Sequence, residues 1–175
     1  MPIHELNVTL KEIPPGNRGI LVSARHLVDI VKQFRRSPEI RFLAEDIVQS
    51  CPNKDYSCEV SKIYNWVKDN IRFTRDPNRV EMLRSPLITL NRRNGDCDDH
   101  TILISSLLQS IGYPTRAVIV ATQPQYKDAF NHIFTEVGVQ NKGQFEWIPL
   151  DTTVSFADVG WLPPGFLYKR FLIDE

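Results

Sequence analysis

Asn94-Gly95-Asp96-Cys97-Asp98-Asp99-His100 places a cysteine at the junction between a polar turn and an apolar helical run. Gly95 allows a sharp turn, Asp96 can cap a helix, and Ile102, Leu103, Leu107, Leu108 and Ile111 then recur at helical spacing. The pattern predicts a helix whose first residue is Cys97. There, unpaired backbone N–H groups and the positive end of the helix dipole favour sulfur anion. They can bring a thiol pKa from about 8.5 into a range of roughly 3.5–7.5. A free cysteine otherwise behaves as a small buried hydrophobe. Asp96, Asp98 and Asp99 make an expensive setting for a core residue, so Cys97 reads as a nucleophile in search of a histidine and an orienting group.

Those partners lie downstream. Gly112 and Pro114 end the Cys97 helix, and Thr115 to Ala121, rich in β-branched residues, predicts a buried strand. Two alternating segments, His132 to Gln140 and Gln144 to Asp151, flank a turn at Asn141-Lys142-Gly143 and predict a hairpin. If Asn141-Lys142 is a two-residue turn, Gln140 pairs with Gly143 and His132 falls opposite Asp151 on one face. A one-residue bulge would place the two on opposite faces. The expected set is Cys97 as nucleophile, His132 as base and Asp151 as orienter of the imidazole, with the Cys97 backbone N–H donating to a developing oxyanion. Trp66 and Asn70 are candidates for a second oxyanion donor. His100, three residues past Cys97, is better placed to support the site than to shuttle protons. The carboxylates of Asp96, Asp98 and Asp99 lie on different sides of one helical turn, so no metal site is expected.

Upstream of the cysteine the chain is mostly helical. Leu6, Val8 and Leu10 suggest a short strand closed by Pro14-Pro15-Gly16-Asn17. Helices are expected from Ser23, from Ser37-Pro38, and after a Ser57 cap, the last carrying Val60, Ile63, Tyr64, Trp66, Val67 and Ile71. Arg72 to Arg93, arginine-rich and weakly periodic, reads as a long loop. Its arginines could attract acidic substrates, although solvation is their commoner fate. Trp161-Leu162-Pro163-Pro164-Gly165-Phe166 cannot be regular helix or central strand and suggests an extended wrap.

The 175 residues predict one domain, 1–175. Lysine plus arginine equal aspartate plus glutamate at 21 each, with no dense basic tract, which points away from nucleic acid and anionic membranes. The absence of a leader-like start or a long apolar run gives the expectation of a soluble, cytoplasmic protein. Cys51 and Cys58 are expected as ordinary packed thiols, with a disulfide or a zinc site as the alternatives.

Gly95-Asp96-Cys97, Gly112-Tyr113-Pro114, His132, and Trp147-Ile148-Pro149-Leu150-Asp151-Thr152-Thr153 together resemble the transglutaminase-like superfamily, over roughly residues 63–153 and closest to its compact microbial branch. The resemblance implies an α+β, papain-like fold: N-terminal helices on a small antiparallel sheet, with the catalytic cysteine at a helix N-terminus. It implies acyl transfer on amide bonds of a protein or peptide through a thioester, by hydrolysis, deamidation or transamidation, with no cofactor. Residue by residue it supports Cys97, His132 and Asp151, and it carries over no calcium dependence. Pro149 suggests that the last strand is an edge or holds a bulge. The alternative is a non-catalytic binding or assembly module that keeps the fold.

Overall fold

The computed structural model describes residues 12–76, 82–122, 129–141, 143–163 and 170–174. The strand expected at Leu6 to Leu10 lies outside them. Among the described residues, five helices and six strands run in the order α1 (Asn17–Phe34), α2 (Pro38–Val48), α3 (Tyr56–Asn70), β1 (Arg72–Phe73), α4 (Pro86–Arg92), β2 (Asn94–Gly95), α5 (Cys97–Ser110), β3 (Thr115–Val120), β4 (His132–Asn141), β5 (Gln144–Leu150) and β6 (Arg170–Asp174). This is the expected α+β class. The main sheet is antiparallel in the order β5-β4-β3-β6, and β1 and β2 form a separate parallel pair.

α5 is the hub. Every residue from Asp99 to Leu108 is buried, so the helix is covered on all sides, and it packs on α1, α2, α3, α4, β3 and β4. One apolar cluster joins α2 and α3 to Leu103, Ile104, Leu107 and Leu108. A second joins Ala24, Leu27 and Val31 of α1 to Ile102, Ala117, Ile119 and Ile133. α1 and the start of α5 thus pack together on one face of the sheet, the face that carries Ala117, Ile119 and Ile133. Buried Ser105 and Thr135 hydroxyls, 2.9 Å apart, pin α5 to β4.

Several local expectations are corrected. The presumed loop from Arg72 to Arg93 contains β1 and α4. Ser85 precedes α4 and Pro86 opens it, where the missing N–H costs nothing, and Arg93 closes it in the left-handed region at φ 57°. α1 begins at Asn17 rather than Ser23. α3 is capped by Asp55, whose carboxylate accepts from the Cys58 N–H, and Ser57 lies inside the helix. Cys51 and Cys58 form a disulfide, with Cα atoms 5.8 Å apart, between the end of α2 and the start of α3, in place of two packed thiols. Of the proposed extended wrap, 161–163 carry no regular structure and the rest lies outside the described residues. A strand that was not anticipated, β6, follows and pairs with β3. Pro149 does lie on an edge strand, β5.

The hairpin register also differs. Gln140 pairs with Phe145 and Asn141 with Gln144, so the two-residue connection is 142–143, with Gly143 at φ 85°. The shift is two residues rather than one, and a shift of two keeps every side chain on its expected face. Thr135 pairs with Leu150, which puts Asp151 beside Phe134 and diagonal to His132.

Candidate active site

Asp96 builds the entry to α5. Its carboxylate accepts from the backbone N–H of Asp98 (3.1 Å) and Asp99 (3.2 Å), while the Asp99 carboxylate accepts from the Asp96 N–H (3.3 Å), a closed capping box. Cys97 is the first helical residue, as the sequence indicated. Gly95 has another role than turning the chain, since its φ is not positive. A Cβ there would lie 2.5 Å from the Asp99 Cβ, so only glycine lets the strand pass over the buried aspartate.

His132 opens β4, and its Nε2 lies 2.6 Å from Oδ2 of Asp151. That distance is short because a diagonal pair on one sheet face is within reach of a long side chain. Asp151 is buried, and its other oxygen accepts from the Thr153 N–H (3.0 Å) and Thr153 hydroxyl (2.6 Å). Burial alone would raise its pKa, but the His132 and Thr153 hydrogen bonds and the imidazole charge hold the carboxyl below its ordinary value. Tyr64, fully buried on α3, directs its hydroxyl at the carbonyls of Asp151 (3.0 Å) and Ala157 (2.9 Å). Burial and the Asp151 and Asp158 charges push that phenol up to about 12, so it stays a donor.

Cys97 and His132 line one cavity of about 240 Å³, together with Asp98, Asn131 and Ser23. β5 ends opposite Thr135, so the first residues of β4 have no partner strand on that side, and the Ile133 N–H donates toward the Cys97 sulfur. With His132 Nε2 engaged by Asp151, Nδ1 is the ring nitrogen left for the thiol. The expected thiolate at the helix start is corrected. Burial, then the charges of Asp98 and Asp96, push the Cys97 thiol well above its ordinary value, outweighing the N–H groups of Ile133 and Cys97 that favour the anion. Burial and the Asp99 charge likewise push the Asp96 carboxyl up to about 6.

Trp66 and Asn70 stand apart from this cavity. The Asn70 amide donates to the Trp66 carbonyl (2.9 Å) and Arg93 stacks over the Trp66 ring at 5.5 Å, so both complete the end of α3. Arg84, read as a loop arginine, is structural. It binds Asp99 through its backbone N–H (3.0 Å) and guanidinium, and Asp76 at 2.8 Å. Burial would lower its pKa, but Asp99 and Asp76 hold it charged. His100 is buried behind the site, its Nδ1 2.8 Å from the Thr152 hydroxyl and its Nε2 without a partner among the described residues. Burial lowers its pKa to about 4, and the imidazole is neutral at pH 7. The roles of Arg84, Thr153 and Tyr64 were not read from sequence. Only Tyr64 left a signal, as a phenol on an otherwise apolar helix face, which needs a buried acceptor.

Residues 41–152 match the family model of the transglutaminase-like superfamily. A candidate cysteine protease from Cytophaga hutchinsonii shares 22% identity at a TM-score of 0.54, over 73% of this chain and 42% of its own. A candidate protease from Parabacteroides distasonis shares 17% at 0.52, over 69% and 25%. LapG of Legionella pneumophila shares 18% at 0.51, over 85% and 81%. The chain thus spans less than half the length of the first two, and at these identities the likeness is one of fold. No curated protein sequence matches. No helix among the described residues is long and apolar enough to cross a membrane. With more than half its length matched by the family model, and with a mixed fold shared by these structures, the chain belongs to the transglutaminase-like superfamily.

Proposed function

We propose that the protein is a cysteine-dependent acyl transferase acting on amide bonds of proteins or peptides, with Cys97, His132 and Asp151 as its triad. The observation that carries this reading is the 2.6 Å His132–Asp151 contact on the wall of the cavity that Cys97 also lines. Because burial keeps the proton on sulfur, His132 Nδ1 takes it as Sγ attacks the carbonyl carbon, and Asp151 stabilises the imidazolium that forms. The Cys97 N–H at the helix start donates to the oxyanion. The C–N bond then breaks, the leaving amine takes the proton from His132, and a thioester remains. Water completes hydrolysis; an amine acceptor in the same position completes transamidation.

The Cys51–Cys58 disulfide bears on where this happens. Such bonds persist in oxidising compartments, which argues for one over the reducing cytoplasm. A panel of quenched peptides, run beside a glutamine donor with a labelled amine, tests the reaction. Turnover that disappears in Cys97→Ala supports the reading, and the panel that responds assigns hydrolysis or transamidation. Full turnover in Cys97→Ala would overturn it.

A further inference from the structure

Asp151 lies just beyond the sheet ladder that would otherwise hold it. The β4–β5 pairing ends where Thr135 meets Leu150, and Asp151 is the next residue. From there to Gly160 the chain runs through turns without regular structure, and the Gly160 N–H returns to the Pro149 carbonyl at 2.9 Å. If Asp151 moved with this turn, its Oδ2 would lose the 2.6 Å contact with Nε2 of His132. A misplacement of about 1 Å at a reacting site can cost about 100-fold in rate.

The restraint on the main chain comes from α3. Tyr64 is fully buried there, and its hydroxyl lies 3.0 Å from the Asp151 carbonyl and 2.9 Å from that of Ala157. A phenol has one proton to give. Ala157 has a second donor, the Lys68 ammonium at 2.5 Å, so the phenol proton can go to Asp151. Tyr64 and Lys68 are neighbours at i and i+4, with the ammonium 5.6 Å from the ring centre. Elsewhere on the turn, Thr153 holds Oδ1 of Asp151, and the Thr152 hydroxyl lies 2.8 Å from Nδ1 of His100. We infer that Tyr64 is a positioning residue for the reaction: from a helix that does not line the Cys97 cavity, its hydroxyl holds the Asp151 main chain where Oδ2 meets His132.

This rests on Asp151 being the orienter in the triad, and the test separates the two claims. The test is a double-mutant cycle between Tyr64→Phe and Asp151→Asn, read by intact mass as the second-order rate of Cys97 labelling with iodoacetamide at pH 7. In that reaction a carbon–sulfur bond forms, the carbon–iodine bond breaks, iodide leaves and His132 takes the thiol proton. Phenylalanine keeps the ring and removes the donor. Tyr64→Phe should lower the rate about tenfold, within the range for residues sharing one hydrogen-bond network. Asp151→Asn should lower it at least as much, because an amide donating to Nε2 holds the wrong imidazole tautomer. In the Asp151→Asn background, loss of the Tyr64 hydroxyl should change the rate by less than about twofold, since no carboxylate is left to position. A general weakening of the fold would act on both backgrounds alike. Should Tyr64→Phe not fold, Lys68→Met asks the same question, because the Ala157 carbonyl then competes for the phenol proton. A fall of about threefold is expected there, again only where Asp151 is present. An undiminished rate in Tyr64→Phe, or an equal factor in the two backgrounds, would overturn the positioning role and leave the triad standing. An undiminished rate in Asp151→Asn would overturn Asp151 as orienter and the role of Tyr64 with it. Failure of the native protein to label at Cys97 would overturn the nucleophile as well.

Discussion

The first turn of α5 has two sides of opposite character. On one, Cys97 opens onto a cavity shared with His132. On the other, Asp99 and His100 are sealed in the interior, Asp99 by Arg84 and the capping box, His100 by Thr152. The sequence presents them as one polar heptapeptide, yet one side has the geometry for chemistry and the other holds the turn in place. Substitutions on the two sides should therefore separate activity from stability.

The largest effect is expected at the cavity side. Cys97→Ala or His132→Ala should lower amide turnover by roughly 10⁴-fold or more, as loss of a triad member does. The urea midpoint should stay within the range of an ordinary half-buried substitution. Asp99→Ala should do the reverse. It opens the capping box and takes one of two carboxylates from the Arg84 guanidinium, leaving only Asp76, at a cost of about 1–3 kcal/mol measured by urea unfolding.

His100 sharpens the contrast through pH. Its pKa is depressed to about 4 in the fold, against 6.5 when unfolded. The unfolded chain then binds the extra proton first, so stability is full above pH 6.5 and falls as pH drops toward 4. The loss attributable to His100 is about 3 kcal/mol. Asp96, raised to about 6, works in the opposite sense over much of the same window. The readout is therefore the difference in urea midpoint between native protein and His100→Gln, which should shrink on acidification. A constant difference across pH 4–7 would mean that His100 titrates normally. The smallest effect lies away from both sides: reducing Cys51–Cys58, seven residues apart, should lower stability by about 2.5 kcal/mol. The alkylation rate of Cys97 should not change, because the disulfide staples α2 to α3 and does not line the cavity.

Where local rules dominate, the sequence was readable. The Asp96 cap, the helix from Cys97 and its end at Gly112, and the β3 run all follow from capping and periodicity over a few residues. The juxtaposition of His132 and Asp151 was legible for a sturdier reason than its register: the turn was misplaced, yet a two-residue slip conserves the face. What escaped depends on the third dimension. α4 is only seven residues long, too short for periodicity to declare itself, and its Ser-Pro start reads equally well as a turn. Arg84 looks solvated in a string of arginines until the fold brings Asp99 and Asp76 to it. The thiol argument failed because the helix dipole is a local term, whereas desolvation and the Asp98 charge are set by what packs around the turn. Trp66 and Asn70, the expected second oxyanion donors, complete the α3 terminus and do not line the cavity, a placement that depends on how α3 docks.

In the proposed mechanism a half-buried thiol, pushed up by its surroundings, becomes reactive only through His132. The direct measurement is the rate of Cys97 carboxamidomethylation by iodoacetamide from pH 5 to 10, by intact mass, in the native protein and in His132→Ala. The native protein should label readily near neutrality. His132→Ala should label more slowly than an ordinary cysteine and gain rate only at higher pH, because burial and the Asp98 charge outweigh the Ile133 and Cys97 N–H groups and no imidazole is left to take the proton. Coincident profiles, both titrating near 8.5, would contradict the account and return Cys97 to a packing role.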